Sequence, residues 1–201
     1  MSGAVPALPR WLTDLEAGAP DVVAAWRALD DTPRGLVRMR RELRDRVRTG
    51  DAPRLVAQAE AVADALAATL RDLPEALLRA PGGEEDWNVA QAFAHTTAAR
   101  RFLASWAALD AGREAPEGDA PSVTPSVPGP PDATRDQLLT FLEKSRRGIA
   151  EAADRIRGHE TQPCALDHPL VGRLRCGDWL VFVGVHDLMH LEQIHRLRAG
   201  G

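Results

Sequence analysis

Cysteine is nearly absent from this chain: Cys164 and Cys176 are the two in 201 residues. Without CxxC spacing they exclude a disulfide scaffold. Lysine is scarcer still. Lys144 stands alone, and arginine carries the remaining positive charge, a pattern that with the abundant alanine fits a GC-rich coding sequence. A formal net charge of -4 gives no basic footprint for nucleic acid. No apolar run approaches the ~18 residues of a membrane-spanning helix. The start of the chain has no basic stretch followed by an apolar signal core. The expectation is a cytoplasmic protein without nucleic-acid or membrane partners. Strand-like alternation and internal repeats are missing as well. What remains is an ordinary apolar fraction, 44%, in a chain long enough for one well-buried core.

Turn residues and caps divide that chain into helices. Met1 to Pro20 holds Pro6, Pro9 and Pro20 and reads as irregular, apart from a short helix at Trp11–Glu16. Asp21 to Leu29 forms a second short helix, with Val22, Val23 and Trp26 on one side. Thr32 caps and Pro33 opens a third, running to Thr49 and stopped by Gly50. Its run RMRRELRDRVR resembles a nucleic-acid arm in composition. Leu36, Met39, Leu43 and Val47 nevertheless fall at helical spacing, so an amphipathic helix with a solvated arginine face is the better reading. Asp51 caps a long Ala/Leu helix to about Leu73, Asp86 caps one from Trp87 to about Leu109, and Asp132 starts another ending before Gly158. Pro81-Gly82-Gly83 and Gly112 to Pro131 read as connections, and His159 to Gly177 as a second irregular stretch. The helices from Asp51, Asp86, Asp132 and Asp178 number four. The fold class expected is all-α: a four-helix bundle over 51–201, with an N-terminal helical extension over 1–50.

The last of these helices, DWLVFVGVHDLMHLEQIHRLR, organises the rest. Asp178 is its expected N-cap, and Arg196 and Arg198 suit its negative C-terminal end. Leu180, Val181, Phe182, Val183 and Val185 make its first half apolar all round, hence buried. Within it His186 and His190 stand four positions apart on one face, the spacing at which two imidazoles close on one divalent cation. His95 lies in the Trp87 helix, at helical spacing from Ala92, Ala99, Phe102 and Trp106, a stripe expected to face the bundle interior. Taken alone, His95 is a core histidine hydrogen-bonded to a neighbour. Three inward imidazoles on two helices carry a larger burial cost, which a shared metal removes. Three neutral histidines leave a coordination position open, as catalytic sites do, and imidazole suits zinc, nickel or iron.

WNVAQAFAH, from Trp87 to His95, resembles the W-[ST]-x-x-x-x-x-x-H signature of the DinB/YfiT-like superfamily of metal-binding four-helix bundles. HPLVGRL (His168–Leu174), followed by the helix with HxxxH and a trailing Gln-Ile, is similar to that family's second block. The match covers roughly Asp51 to Leu197, and Asn88 replaces the usual Ser or Thr, a change that bears on helix capping. The resemblance implies that His95, His186 and His190 bind the metal. It further implies a transferase, isomerase or hydrolase acting on a small-molecule substrate, with a low-molecular-weight thiol such as bacillithiol or mycothiol as cofactor, and a homodimer. The alternative is a non-enzymatic, stress-related or metal-sensing dimer in which the metal is structural. An open cavity leading to the metal favours the first, and a metal sealed by Trp and Leu the second.

Asp187, Gln193 and Trp87 are the further candidates. Asp187 or Gln193 could orient an imidazole, with an exposed role equally open to Asp187, and Trp87 reads as an anchor of its helix start more than a platform for substrate. His195 lies about half a turn round from His186 and cannot share its metal. His159, His168, Cys164 and Cys176 share one irregular segment, and the Cys164–His168 spacing is too slight a signal for a second metal site.

Overall fold

The computed structural model describes residues 10–29, 32–81, 86–114, 122–123 and 127–200, with no side-chain placement for Pro33 and 198–200. The expected irregular start at Pro6 and Pro9, the Gly82-Gly83 break, the middle of the Gly112 to Pro131 connection and the Arg198 side chain lie outside the described residues. Seven α-helices follow in order among the described residues: α1 (Arg10–Glu16), α2 (Pro20–Ala28), α3 (Pro33–Arg46), α4 (Ala52–Asp72), α5 (Val89–Ala111), α6 (Arg135–Ile156) and α7 (Cys176–Gly200). A 3-10 turn, Glu75–Arg79, lies between α4 and α5.

α4 to α7 form the bundle, with α4 and α5 each packed against both α6 and α7 and so diagonal to one another. The apolar half of α7 is its centre. Trp179, Leu180, Val181, Phe182, Val183 and Val185 are all 0–1% exposed. Burying each such side chain is worth about 1.5–3 kcal/mol. The N-terminal helices pack on this bundle. α2 lies across α7 where Gly184 allows it, since a Cβ there would stand 2.8 Å from both Val22 methyls. Asp21, 6% exposed, ties α2 to α4: its carboxylate accepts from Gln58 Nε2 at 2.6 Å, and it also pairs with Arg54 and Arg46. In α3, Met39 and Leu43, with Val47 just after it, turn inward at 0% exposed, as the spacing predicts, leaving most of the arginines on the outer face.

Several helix boundaries differ from those expected, and three of the shifts have a reason visible in the hydrogen bonds. α5 starts after Asn88, because Asn88 Oδ1 accepts Gln91 N–H at 2.9 Å while Gln91 Oε1 accepts Asn88 N–H at 3.1 Å. That reciprocal capping box outcompetes Asp86. Thr134 and Gln137 make the same box for α6, displacing Asp132. α3 stops at Arg46, and Val47 is extended. α7 begins at Cys176, before Asp178, because the carbonyls of Gln162 and Glu160 accept the amides of Cys176 (2.9 Å) and Gly177 (2.8 Å). With its first donors satisfied by the preceding segment, α7 uses Asp178 differently: the carboxylate binds the Arg175 amide and guanidinium.

The stretch from His159 to Gly177 is also more ordered than expected. β1 (Pro163–His168) and β2 (Gly172–Arg175) pair antiparallel, turning through Gly172 at φ +63°, with an irregular register between Pro163 and Asp167. Only Cys164 and Leu166 of β1 point inward. Two buried positions in so short a strand leave too little alternation to be read from sequence. Val123 joins its amide to the Asp167 carbonyl at 2.9 Å, which pins the α5–α6 connection to this hairpin.

Candidate metal centre

The capping box starts α5 so that His95 comes on its second turn, and α7 presents His186 and His190 on successive turns opposite it. One ligand atom from each of His95, His186 and His190 lies within 4.8 Å of the other two. The Nε2 atoms of His95 and His186 are 3.3 Å apart, and the His190 ring centroid is 4.7 Å from that of His186 and 5.3 Å from that of His95.

The outer nitrogens define what faces inward. His95 Nδ1 donates to the Val127 carbonyl at 2.9 Å, and His190 Nδ1 donates to Gln193 Oε1 at 3.0 Å. Each ring therefore keeps its lone pair on Nε2, the tautomer of a metal-bound histidine. Burial holds His186 well below the ordinary histidine pKa, and the neighbouring His190, His95, His168 and Arg100 push it the same way. Metal ligation needs neutral imidazole, and this environment supplies it. The donor set thus fits a divalent cation of the zinc, nickel or iron type.

The other sequence candidates separate. Gln193 lies against His190. Asp187 is 0% exposed, so the exposed alternative does not hold, and its carboxylate meets no imidazole. It forms an ion pair with Arg100, which is also 0% exposed and further bonds Ser145 Oγ (3.1 Å) and the Ala59 carbonyl (3.3 Å). Burial pushes the Asp187 carboxyl up to about 7, against the pull of Arg100. Trp87 is 6% exposed and tilts over His95 with centroids 5.1 Å apart, packing on the ring from the helix start. His195 is away from the cluster, stacked on Trp11 at 4.9 Å. Arg100 is the residue that sequence reading missed. Its signal was a charge on the helix face shared by Phe93, Thr97, Leu103, Ala104 and Ala107, all buried.

The stripe of Ala99, Phe102 and Trp106 does not face the interior as expected. Phe102 is 41% exposed, and all three line a cavity of about 1080 Å³ whose wall also includes His95, His186 and Met189. Phe141, Phe182 and Leu170 add to its apolar lining, while Arg101 and Lys144 are cationic side chains on it. Gly129 seats the connection over α5, where a Cβ would come 2.3 Å from Ala94 Cβ. That close approach puts Val127 within reach of His95. His168 also lines the cavity, against Phe182, and burial lowers its pKa despite the opposite pull of Asp167.

No helix among the described residues is long and apolar enough to cross a membrane. No curated protein and no solved structure shows significant similarity to the chain. The model of one family does match, over residues 58–194, a span that includes His95, His186 and His190. With that match covering well over half its length, the chain belongs to the DinB superfamily.

Proposed function

We propose that this protein is a divalent-metal-dependent enzyme acting on a small molecule with an apolar body, as a thiol-dependent transferase or a hydrolase. One observation carries the reading: a cavity of about 1080 Å³ has His95 and His186 in its wall, so the imidazole cluster is open to a ligand and not sealed beneath core side chains. His95, His186 and His190 hold a divalent cation of the zinc, nickel or iron type. Bound there, it supplies Lewis acidity that brings a coordinated water or thiol toward ionisation near neutral pH. The thiol version draws on a low-molecular-weight thiol such as mycothiol or bacillithiol.

The chain's own groups have separate tasks. The Val127 carbonyl and Gln193 fix the ring orientations of His95 and His190. Phe102, Trp106, Phe141 and Phe182 take the apolar body of the substrate and exclude water from it. Arg101 and Lys144 offer positive charge to an anionic group on the substrate or thiol.

The test is turnover by the full chain loaded with zinc, nickel or iron. The assays are thiol consumption with mycothiol or bacillithiol against apolar electrophiles, and hydrolysis of esters and amides. Expected are turnover that chelation abolishes, and an Ala99→Trp variant that keeps its metal but loses at least tenfold in rate. Metal-loaded protein inert in every assay would remove the enzymatic reading.

A further inference from the structure

At the far end of α5 from His95 a second set of metal-ligating side chains converges from three separate elements. Asp110 stands in the last turn of α5, Cys164 on β1 and Cys176 at the first position of α7. One ligand atom from each lies within 4.8 Å of the other two. Fifteen residues of helix separate Asp110 from His95, about 22 Å at 1.5 Å per residue, so the two clusters are distinct.

The backbone holds this second cluster in place. Asp110 Oδ2 accepts the Ala165 amide at 2.5 Å, beside Cys164, and the Asp110 carbonyl accepts Gln162 Nε2 at 3.0 Å. The Cys176 amide is bound in turn to the Gln162 carbonyl at 2.9 Å. The irregular register of β1 lies between Pro163 and Asp167, the stretch that carries Cys164. Both sulfurs are buried, Cys164 at 3% and Cys176 at 0%, and both are free thiols. A cavity of about 490 Å³ reaches Asp110 and Cys164 from solvent, and Arg40, Arg44 and Arg173 line it.

We propose that Asp110, Cys164 and Cys176 form a second divalent-cation site, selective for a thiophilic ion such as zinc. Tetrahedral zinc at about 2.3 Å from sulfur and 2.0 Å from oxygen holds its ligands roughly 3.3–3.8 Å apart, so small side-chain movements close the cluster. Two thiolates and a carboxylate around one divalent ion leave a net charge of about -1, which the neighbouring arginines offset. Binding releases the two thiol protons to solvent. Cys164, burial and Asp110 all push the Cys176 thiol up. Three protein ligands leave a fourth position for water or an anion. The ion would join the end of α5 to the start of α7, the two helices that carry the histidines.

Cobalt(II) titration of the reduced, metal-stripped full-length protein tests this. Expected are two bound equivalents, one of them with near-ultraviolet thiolate-to-cobalt charge transfer. That absorption should persist in His186→Ala and vanish in Cys176→Ser. Asp110→Asn, which keeps the shape of the side chain and so guards against a misfolded cysteine variant, should weaken the second equivalent at least tenfold. A single equivalent without charge transfer in the wild type overturns the site, and so does an Asp110→Asn protein with unchanged affinity.

Discussion

Arg100 of α5 and Asp187 of α7 meet in the core as an ion pair with neither side chain exposed. Asp187 adjoins His186 in sequence, and Arg100 lies little more than one turn beyond His95. The pair therefore sets how α5 and α7 are rotated toward each other, and with it the 3.3 Å approach of the two imidazoles.

Removing one partner strands the other. Asp187→Ala leaves a buried guanidinium uncompensated and should cost about 3–5 kcal/mol in urea unfolding. Replacing both, as Arg100→Met with Asp187→Leu, should recover most of that loss. A double variant no more stable than Asp187→Ala would show that the pair does more than neutralise charge.

Metal binding should divide the histidines. His95→Ala, His186→Ala and His190→Ala should each weaken zinc at the histidine cluster by more than about 100-fold, beyond the 10–100-fold typical of groups that orient a ligand. Gln193→Leu should fall within that range and Gln193→Glu, which keeps an acceptor for His190, should not. His195→Ala should bind like the wild type. Isothermal titration of the stripped proteins checks all of these.

Gly129→Ala should act at a distance. Its Cβ would collide with Ala94 Cβ at 2.3 Å and approach the Gln91 carbonyl at 3.0 Å, lifting the connection and withdrawing the Val127 carbonyl from His95. Zinc affinity should drop about tenfold or more. Adding Ala94→Gly removes the methyl it strikes and should restore binding. Failure of that rescue would mean that the collision is not the cause.

His168 should add an acid limb to stability. Its folded pKa lies below the ordinary 6.5, so between the two values the unfolded chain binds the proton and the folded chain does not. Stability from this group is thus full above pH 6.5 and is lost as pH falls through the depressed value. The slope stays below the roughly 1.4 kcal/mol per pH unit of a fully titrating site. Unfolding of the stripped wild type and His168→Gln at pH 7.5 and 5.5 should show the variant gaining on the wild type at the lower pH. A constant difference would contradict it.

Helical periodicity and caps were legible where one element decides them. Met39, Leu43 and Val47 could be placed inward from spacing and the first half of α7 from being apolar all round, and Thr32 was readable as a cap because its bond to the Gly35 amide is local. Asp86, Asp132 and Asp178 misled because each was read singly, while the observed caps depend on a partner: Gln91 for Asn88, Gln137 for Thr134, and the carbonyls of Glu160 and Gln162 for α7. The hairpin was hidden by a register that is not regular.

The sequence by itself determined that the chain is a helical bundle, and that His186 and His190 share a face, because both follow from the 3.6-residue period. Which way the 99–102–106 stripe looks was a tertiary matter. Periodicity says that residues share a face, but the neighbouring helices decide whether that face meets a core or a cavity. The meeting of His95 with α7, the carbonyl that orients it and the buried Arg100–Asp187 pair beside it likewise exist only once distant segments pack, since each joins residues more than thirty positions apart.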